Sequence, residues 1–344
     1  MTQQRGVNAL LNMGFENSAY GTAAEVGYRL PMNTCGVVGT KTRNVPATLT
    51  GTRNTVEPFA GNKNVEGPIV VPADSLAMAY WLMAMFGDPT TTGAGPYTHE
   101  FKVGSSMPSF TLEKGFTDVA VDIYERYVGC KISTFNMVCG GDGELICTLN
   151  VLGANMSHET SSFDSDPDVI SIARLNNFDA AIEEGGVSLA NATELTINID
   201  FGLDPNSFVI GGGGLRGDIP EGFVAVTGNL KTLLEDDSLL DKATGDTETS
   251  LKLTLTGSAS SVLEFEIQEL LYSVNGVPIE GPQGLIVSLD FVGYYTNGSE
   301  VSNIVARLTN GVTSYSYTAS ASVSPSVSSS QSPSASVSPS PSPS

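Results

Sequence analysis

Apolar and polar positions alternate along most of the chain. LKLTLTGS (251–258) sets Leu251, Leu253 and Leu255 between Lys and Thr, the period of two that half-buries a β-strand. LEFEIQEL (263–270), LTINIDF (195–201) and ELICTLNV (144–151) alternate in the same way. Two stretches read as helices instead. One starts at Asp74 or Ser75, both natural N-caps, and runs to Gly87, a natural stop. It is apolar nearly all round, as suits a helix held between a sheet and a neighbouring subunit. The other, NLKTLLEDDSLLD (229–241), is amphipathic and more solvated. YGTAAEVGYRLPM (20–32) opens with a turn and continues extended.

The pattern repeats. LICTLNVLG (145–153) and LIVSLDFVG (285–293) share Leu, Ile, Leu and Gly at one constant offset. VEGPIVVPADSL (65–76) resembles PEGFVAVTGNL (220–230), each running into a predicted helix, and TLEKGF (111–116) and EFEIQEL (264–270) take similar places between these anchors. The larger offset there calls for an extra excursion in the first copy, placed at TDVAVDIYERYVG (117–129). The expected fold is mainly β (β+α). It has two tandem copies, residues 1–160 and 161–318, each a barrel or sandwich with a flanking helix. From Ala319 to Ser344 the chain is Ser/Pro-rich and uncharged, a composition that predicts a disordered tail, because it buries too little apolar surface to offset ordering.

Charge narrows the function. The chain has 344 residues and a net charge of −21, which excludes nucleic-acid binding through phosphate neutralisation. The balance is uneven: residues 1–160 hold 10 basic and 14 acidic side chains, residues 161–318 hold 6 and 23. MTQQRGVNALLNMG lacks the order of a secretory signal, and the apolar run LAMAYWLMAMFG (76–87) is too short to cross a bilayer. Without export, the sequons at Asn191 and Asn297 stay bare. Cys35, Cys130, Cys139 and Cys147 lack zinc-ligand spacing and read as reduced core residues, although Cys139 and Cys147 can meet across a hairpin.

Candidate chemistry fails on inspection. His99 sits in YTHEF, where Val103 breaks the HExxH spacing, and neither it nor His158 has a nucleophile motif beside it. GGGGLRGD (211–218) lacks the Lys-Ser/Thr of a phosphate loop and reads as a flexible hairpin tip; its Arg216-Gly217-Asp218 triplet mimics an adhesion motif. Asp164, Asp166 and Asp168 miss the Gly and Glu of a calcium loop and read as a solvated linker between the copies. No catalytic, cofactor-binding or metal residue is expected, and no enzyme.

ENSAYGTAAEVGYRLP (16–31), EGPIVVPADSLAMAYWLMAMFG (66–87), PYTHEF (96–101), PSFTLE (108–113) and GCKIS (129–133) follow one another as in tail tube proteins of long-tailed bacteriophages. EGFVAVTGNL and LIVSLDFVG resemble that family's second half, so the likeness spans about residues 15–295. The resemblance implies a structural virion protein, the major tail tube subunit, whose sheets close around a lumen as subunits join into stacked rings for DNA ejection. Six-fold rings would need six subunits, or three duplicated ones. The partners implied are the chain itself, the tape measure, tail terminator and baseplate proteins, and DNA that passes without specific binding; the site is the phage tail, assembled in the host cytoplasm. An acidic lumen would let DNA slide, YGTAAEVGYRLPM would be an arm contacting other subunits, and the polar stretch 40–64 would stack rings. The alternative is a surface-displayed, adhesin-like β-binding module on a Ser/Pro stalk.

Overall fold

The computed structural model describes residues 3–273, 276–279 and 281–317; the Ser/Pro tail lies outside them. Strands make up 47% of the chain and helices 7%. All four alternating stretches fall in strands: Thr249–Ser258, Ser261–Tyr272, Ala192–Asp200 and Ile146–Gly153. Leu251, Leu253 and Leu255 are buried, while Lys252 and Thr254 between them stay partly exposed, as a strand with one wet face requires.

Eight antiparallel strands form a central layer. Their spatial order is Val38–Asn44, Phe59–Pro72, Ile146–Gly153, Ile123–Gly140, Ala192–Asp200, Ala225–Leu233, Ile286–Tyr294 and Ser261–Tyr272. Two of them also build an outer layer. Ile123–Gly140 runs for 18 residues, and its first part pairs with Phe110–Phe116 and Asn155–Glu159. It bends at Gly129 (φ 63°), where a Cβ would stand 2.8 Å from both Ala154 and the Tyr20 ring. Ser261–Tyr272 behaves alike, its first part lying between Thr249–Ser258 and Val305–Asn310. Both layers share one core, in which Phe135 and Phe265 pack with ring centroids 5.6 Å apart.

The two halves of the chain carry matching registers. Lys131 and Ile132 face Leu152 and Val151; at the offset of the sequence repeat, Leu271 and Tyr272 face Val292 and Phe291. Phe110 pairs with Cys130 and Leu112 with Tyr127, a bulge repeated where Thr249 pairs with Leu270 and Leu251 with Ile267. Ile69 faces Leu149 as Leu230 faces Leu289, and a helix follows each of those strands, Met78–Phe86 and Ser238–Thr244. By register, TLEKGF answers to SLKLTL (250–255) rather than to EFEIQEL. The extra excursion is therefore residues 87–109, which hold the hairpin Thr90–Thr92 and Tyr97–Lys102; only residues 245–248 stand in the matching gap. TDVAVDIYERYVG runs instead into the long strand that starts at Ile123.

Other expectations change in detail. The second helix begins at Ser238, and residues 229–233 are strand. They are strand because both edges of Ala225–Leu233 are paired, with Ala192–Asp200 and Ile286–Tyr294, which turns Val226, Leu230 and Thr232 inward; at Gly228 a Cβ would lie 2.1 Å from the Thr196 carbonyl oxygen. The first helix starts later than expected, at Met78, with Ala77 at its N-cap and no side-chain cap; Asp74 Oδ1 instead accepts from Leu76 N–H at 2.6 Å in the turn ahead of it, and Gly87 (φ 91°) ends the helix as expected. It needs no neighbouring subunit to cover it: every residue from Met78 to Phe86 except Tyr80 is buried within the single chain, and Tyr80 rests on Tyr28 and Tyr315. YGTAAEVGYRLPM is likewise held inside the chain, through Tyr20 Oη donating to the Gly129 carbonyl at 3.1 Å and Tyr28–Arg29 pairing with Asn12 and Met13. The segment after Glu159 straps the outer layer: Ser162 Oγ and Phe163 N–H donate to buried Glu113, and Asp168–Val169 runs parallel to Tyr28–Arg29. In the polar stretch 40–64, residues 45–58 form a loop, but both flanks belong to strands.

Candidate functional site

The face of the central layer turned away from the core repeats one short pattern. Thr148-x-Asn150, Thr134-x-Asn136, Thr196-x-Asn198 and Thr227-x-Asn229 lie on four successive strands, and Ser288-x-Asp290 continues them on the next. Phe135, Leu149, Ile197 and Leu289, between the paired positions, point into the core, so period two turns the Thr and Asn side chains outward. The rows are in register: Thr148 faces Asn136, Asn136 faces Asn198 and Asn198 faces Thr227. Side chains bond along them, Asn136 Nδ2 to Asn198 Oδ1 at 2.6 Å, Asn150 Nδ2 to Thr134 Oγ1 at 2.7 Å and Asn229 Nδ2 to Asp290 Oδ1 at 2.7 Å.

This face is mostly amide and hydroxyl, with the carboxylates of Glu66, Glu194, Asp200 and Asp290 set among them; Glu194 lies 2.7 Å from Lys231 Nζ. The acidic excess of residues 161–318 sits elsewhere, in part on the outer layer. There Arg307 is bonded to Glu100 at 2.9 Å, to Glu300 at 3.0 Å and to Glu266, while Lys102 reaches Glu100 and Glu300 at 2.8 and 2.7 Å. Partial burial opposes ionisation of Glu100, yet Lys102 and Arg307 hold its carboxyl below the usual carboxylate value. The cluster ties the inserted hairpin, through strand Val305–Asn310, to the second half of the chain.

The residues considered for chemistry have structural partners. His99 is buried between Thr91 Oγ1 at 2.9 Å and Asn310 Oδ1 at 3.3 Å, and burial lowers its pKa against the pull of Asn310. His158 is exposed, 3.5 Å from Glu125. In the 211–218 loop the Arg216 guanidinium turns inward, donating to the carbonyls of Gly153 at 2.6 Å and Pro205 at 2.7 Å and to Asn64 Oδ1 at 2.7 Å. It fastens the hairpin around Asn64 to the rest of the chain, so Arg-Gly-Asp is not presented and the loop is no free tip. Asp164 accepts from the N–H groups of Gly27 and Asp166. Among the described residues no group of three His, Cys, Asp or Glu is placed to hold a metal ion, and no helix is long and apolar enough to cross a membrane. Cys139 faces Leu195 and Cys147 faces Met137, so the two thiols are not opposite one another; burial pushes them up to about 11 and about 12, leaving both protonated.

The Thr-x-Asn rows are what residue-by-residue reasoning passed over. Their signal was present in the sequence as a dipeptide spacing repeated on four strands. It is visible only when the polar positions of a strand are compared between strands instead of being taken as the wet side of each.

No curated protein matches this chain. A family profile, that of the phage tail tube protein, matches residues 6–293, over the same strands that build the Thr-x-Asn face. The chain belongs to the phage tail tube protein family, a structural family of the virion tail.

Proposed function

We propose that this chain is the major tail tube subunit, polymerising into rings that stack into the hollow conduit for DNA ejection. Residues 1–160 and 161–318 act as two tandem tube units, so that three chains complete a ring of six units. The observation that carries the reading is the Thr-x-Asn face. A lumen lined by hydroxyls and amides holds water and offers a polyanion few cations, and Lys231 is already paired with Glu194. No counterions are released when phosphate passes, so the DNA meets no sequence-independent trap. The matching registers and bulges of the two halves support the tandem arrangement. The tape measure, tail terminator and baseplate proteins are the other partners of such a tube, and assembly takes place in the host cytoplasm. The inward turn of Arg216 speaks against the adhesin-like alternative.

Negative-stain microscopy of the purified chain tests this. Rings or tubes with a stain-filled centre are expected, and unchanged when residues 319–344 are removed. A chain that stays monomeric at high concentration, with and without those residues, overturns it. Symmetry averaging of end-on views then distinguishes three chains per ring from six.

A further inference from the structure

We propose that charge sets the direction in which rings stack: the basic hairpin at residues 39–64 docks on the acidic opposite end of a second copy of the chain, at residues 233–237. This rests on the tube reading above and adds which ends meet and what chemistry joins them.

The hairpin stands clear of the central layer. Strand Ile146–Gly153 pairs with Phe59–Pro72 only as far as Val65, so residues 39–64 project past it. Its base is tied down, Lys63 N–H donating to the Gly214 carbonyl at 2.8 Å and Arg216 to Asn64 Oδ1 at 2.7 Å. The whole chain has 16 basic residues and a net charge of −21, yet this hairpin holds Lys41, Arg43, Arg53 and Lys63 against Glu57 alone. Lys41, Arg43 and Arg53 are exposed, and among the described residues none of them is paired with a carboxylate. Lys41 sits opposite Lys63, a cross-strand pair of like charges that costs stability in the single chain. An acidic partner turns that repulsion into attraction. Leu49, 97% exposed, and Phe59 add apolar surface to the same hairpin.

The other end of the layer supplies the partner. Strand Phe59–Pro72 runs 14 residues, about 45 Å, from the hairpin to Pro72, which faces Ile146. Registers carry that end across the layer: Gly140 faces Glu194, Glu194 faces Lys231, and two residues on, Leu233 faces Ile286. The turn with Asp142 and Glu144 and the segment 233–237 therefore lie far from the hairpin. Residues 234–246 carry Glu235, Asp236, Asp237, Asp241 and Asp246, and their one cation, Lys242, is taken by Glu184 at 2.7 Å. Leu233, Leu234 and Ile286 are exposed beside them. The hairpin has the complement. A recess between it and loop 208–214, lined in part by Lys41, Phe59 and Phe208, sets a cation beside two aromatic rings. Two leucines followed by three carboxylates match that lining in polarity and charge. Because the two surfaces differ and occupy opposite ends of one chain, the contact repeats without closing and gives a stack with a single direction. A ring turned over would bring hairpin against hairpin, cation against cation.

Reversing the charge on each side tests this. Lys41→Glu with Arg43→Glu and Arg53→Glu is expected to leave rings but abolish tubes in negative stain. Asp142→Lys with Glu235→Lys and Asp237→Lys should do the same. Mixing the two kinds of preformed ring should restore tubes, since every contact in an alternating stack then joins opposite charges. The neutral set Lys41→Gln, Arg43→Gln and Arg53→Gln, which adds no repulsion, should shorten tubes. Tubes of ordinary length from either reversed variant or from the neutral set, or a mixture that forms none, overturn the proposal and leave the ring reading standing. A reversed variant that forms no rings places its surface inside the ring and likewise overturns it. An unsubstituted chain that forms no rings removes the tube reading as well.

Discussion

The two helices occupy matching places in the two halves, yet only one is buried nearly all round. Met78–Phe86 is sealed beneath the inserted hairpin and the residues around Tyr315, with Trp81 against Phe110 at 6.4 Å. Ser238–Thr244 buries fully only Leu239 and Ala243, half-buries Leu240 and Lys242, and exposes Ser238, Asp241 and Thr244. The same strand–helix–strand plan therefore supports a buried staple in one half and a surface helix in the other. The difference lies in the segment 87–109, inserted after the first helix. Burial follows from what lies on top of a helix, not from its place in the chain order.

Substitutions can break this contrast. Trp81→Ala should cost the most, about 4 kcal/mol, because a large void opens in a core that cannot collapse; a fall in thermal midpoint measures it. Trp81→Phe should cost far less, since the indole N–H has no hydrogen-bond partner to lose. Arg307→Ala comes next, at about 3 kcal/mol, because it leaves three carboxylates without their shared cation. Its signature is faster hydrogen exchange in Tyr97–Lys102 than in Leu10–Phe15. Leu239→Ala should cost about 2 kcal/mol, the low end for a leucine, since that helix is wet on one side. Asn136→Ala with Asn198→Ala should move stability by no more than about 1 kcal/mol, the net worth of one half-buried hydrogen bond.

Acid provides a further test of the contrast. Glu100 is held below its usual pKa, so its contribution is full above the unfolded value of 4.5 and is lost as pH falls through the lowered folded value. Glu16, in the first half, has the opposite sign. Burial raises its carboxyl despite donors from Gly129, Gly21, Ser109 and Thr111, so its contribution is full below 4.5 and fades as pH rises through the raised value. Amide exchange followed from pH 6 to pH 3 should therefore loosen the 97–102 hairpin first, and Glu100→Gln should flatten that response. Equal loosening of Leu10–Phe15 would contradict the assignment.

Much of this was legible in the sequence, for physical reasons that can be named. Strands such as Leu251–Leu255 declare themselves because each buried leucine is flanked by polar residues. The helix at Met78–Phe86 was marked at its end by Gly87, while Asp74 signalled the turn just ahead of it. Strand Ala225–Leu233 was misread because Leu230, Leu233 and Leu234 fall at helical spacing, while its inward positions include Gly228 and Thr232, which carry no apolar signal. The excursion after the first helix was misplaced because the repeat was aligned on composition, whereas pairing registers fix it. The outward face was read as merely wet, since a single Thr or Asn says nothing until its row is known.

The paired bulges at Phe110–Leu112 and Thr249–Leu251 have a practical corollary. Because both meanders kink at the same step, a probe or reactive handle grafted at a site in one has a defined address for its twin in the other. A fluorophore introduced at such twinned addresses would report two comparable environments per molecule. Any disparity between their signals would measure how far the two environments have diverged.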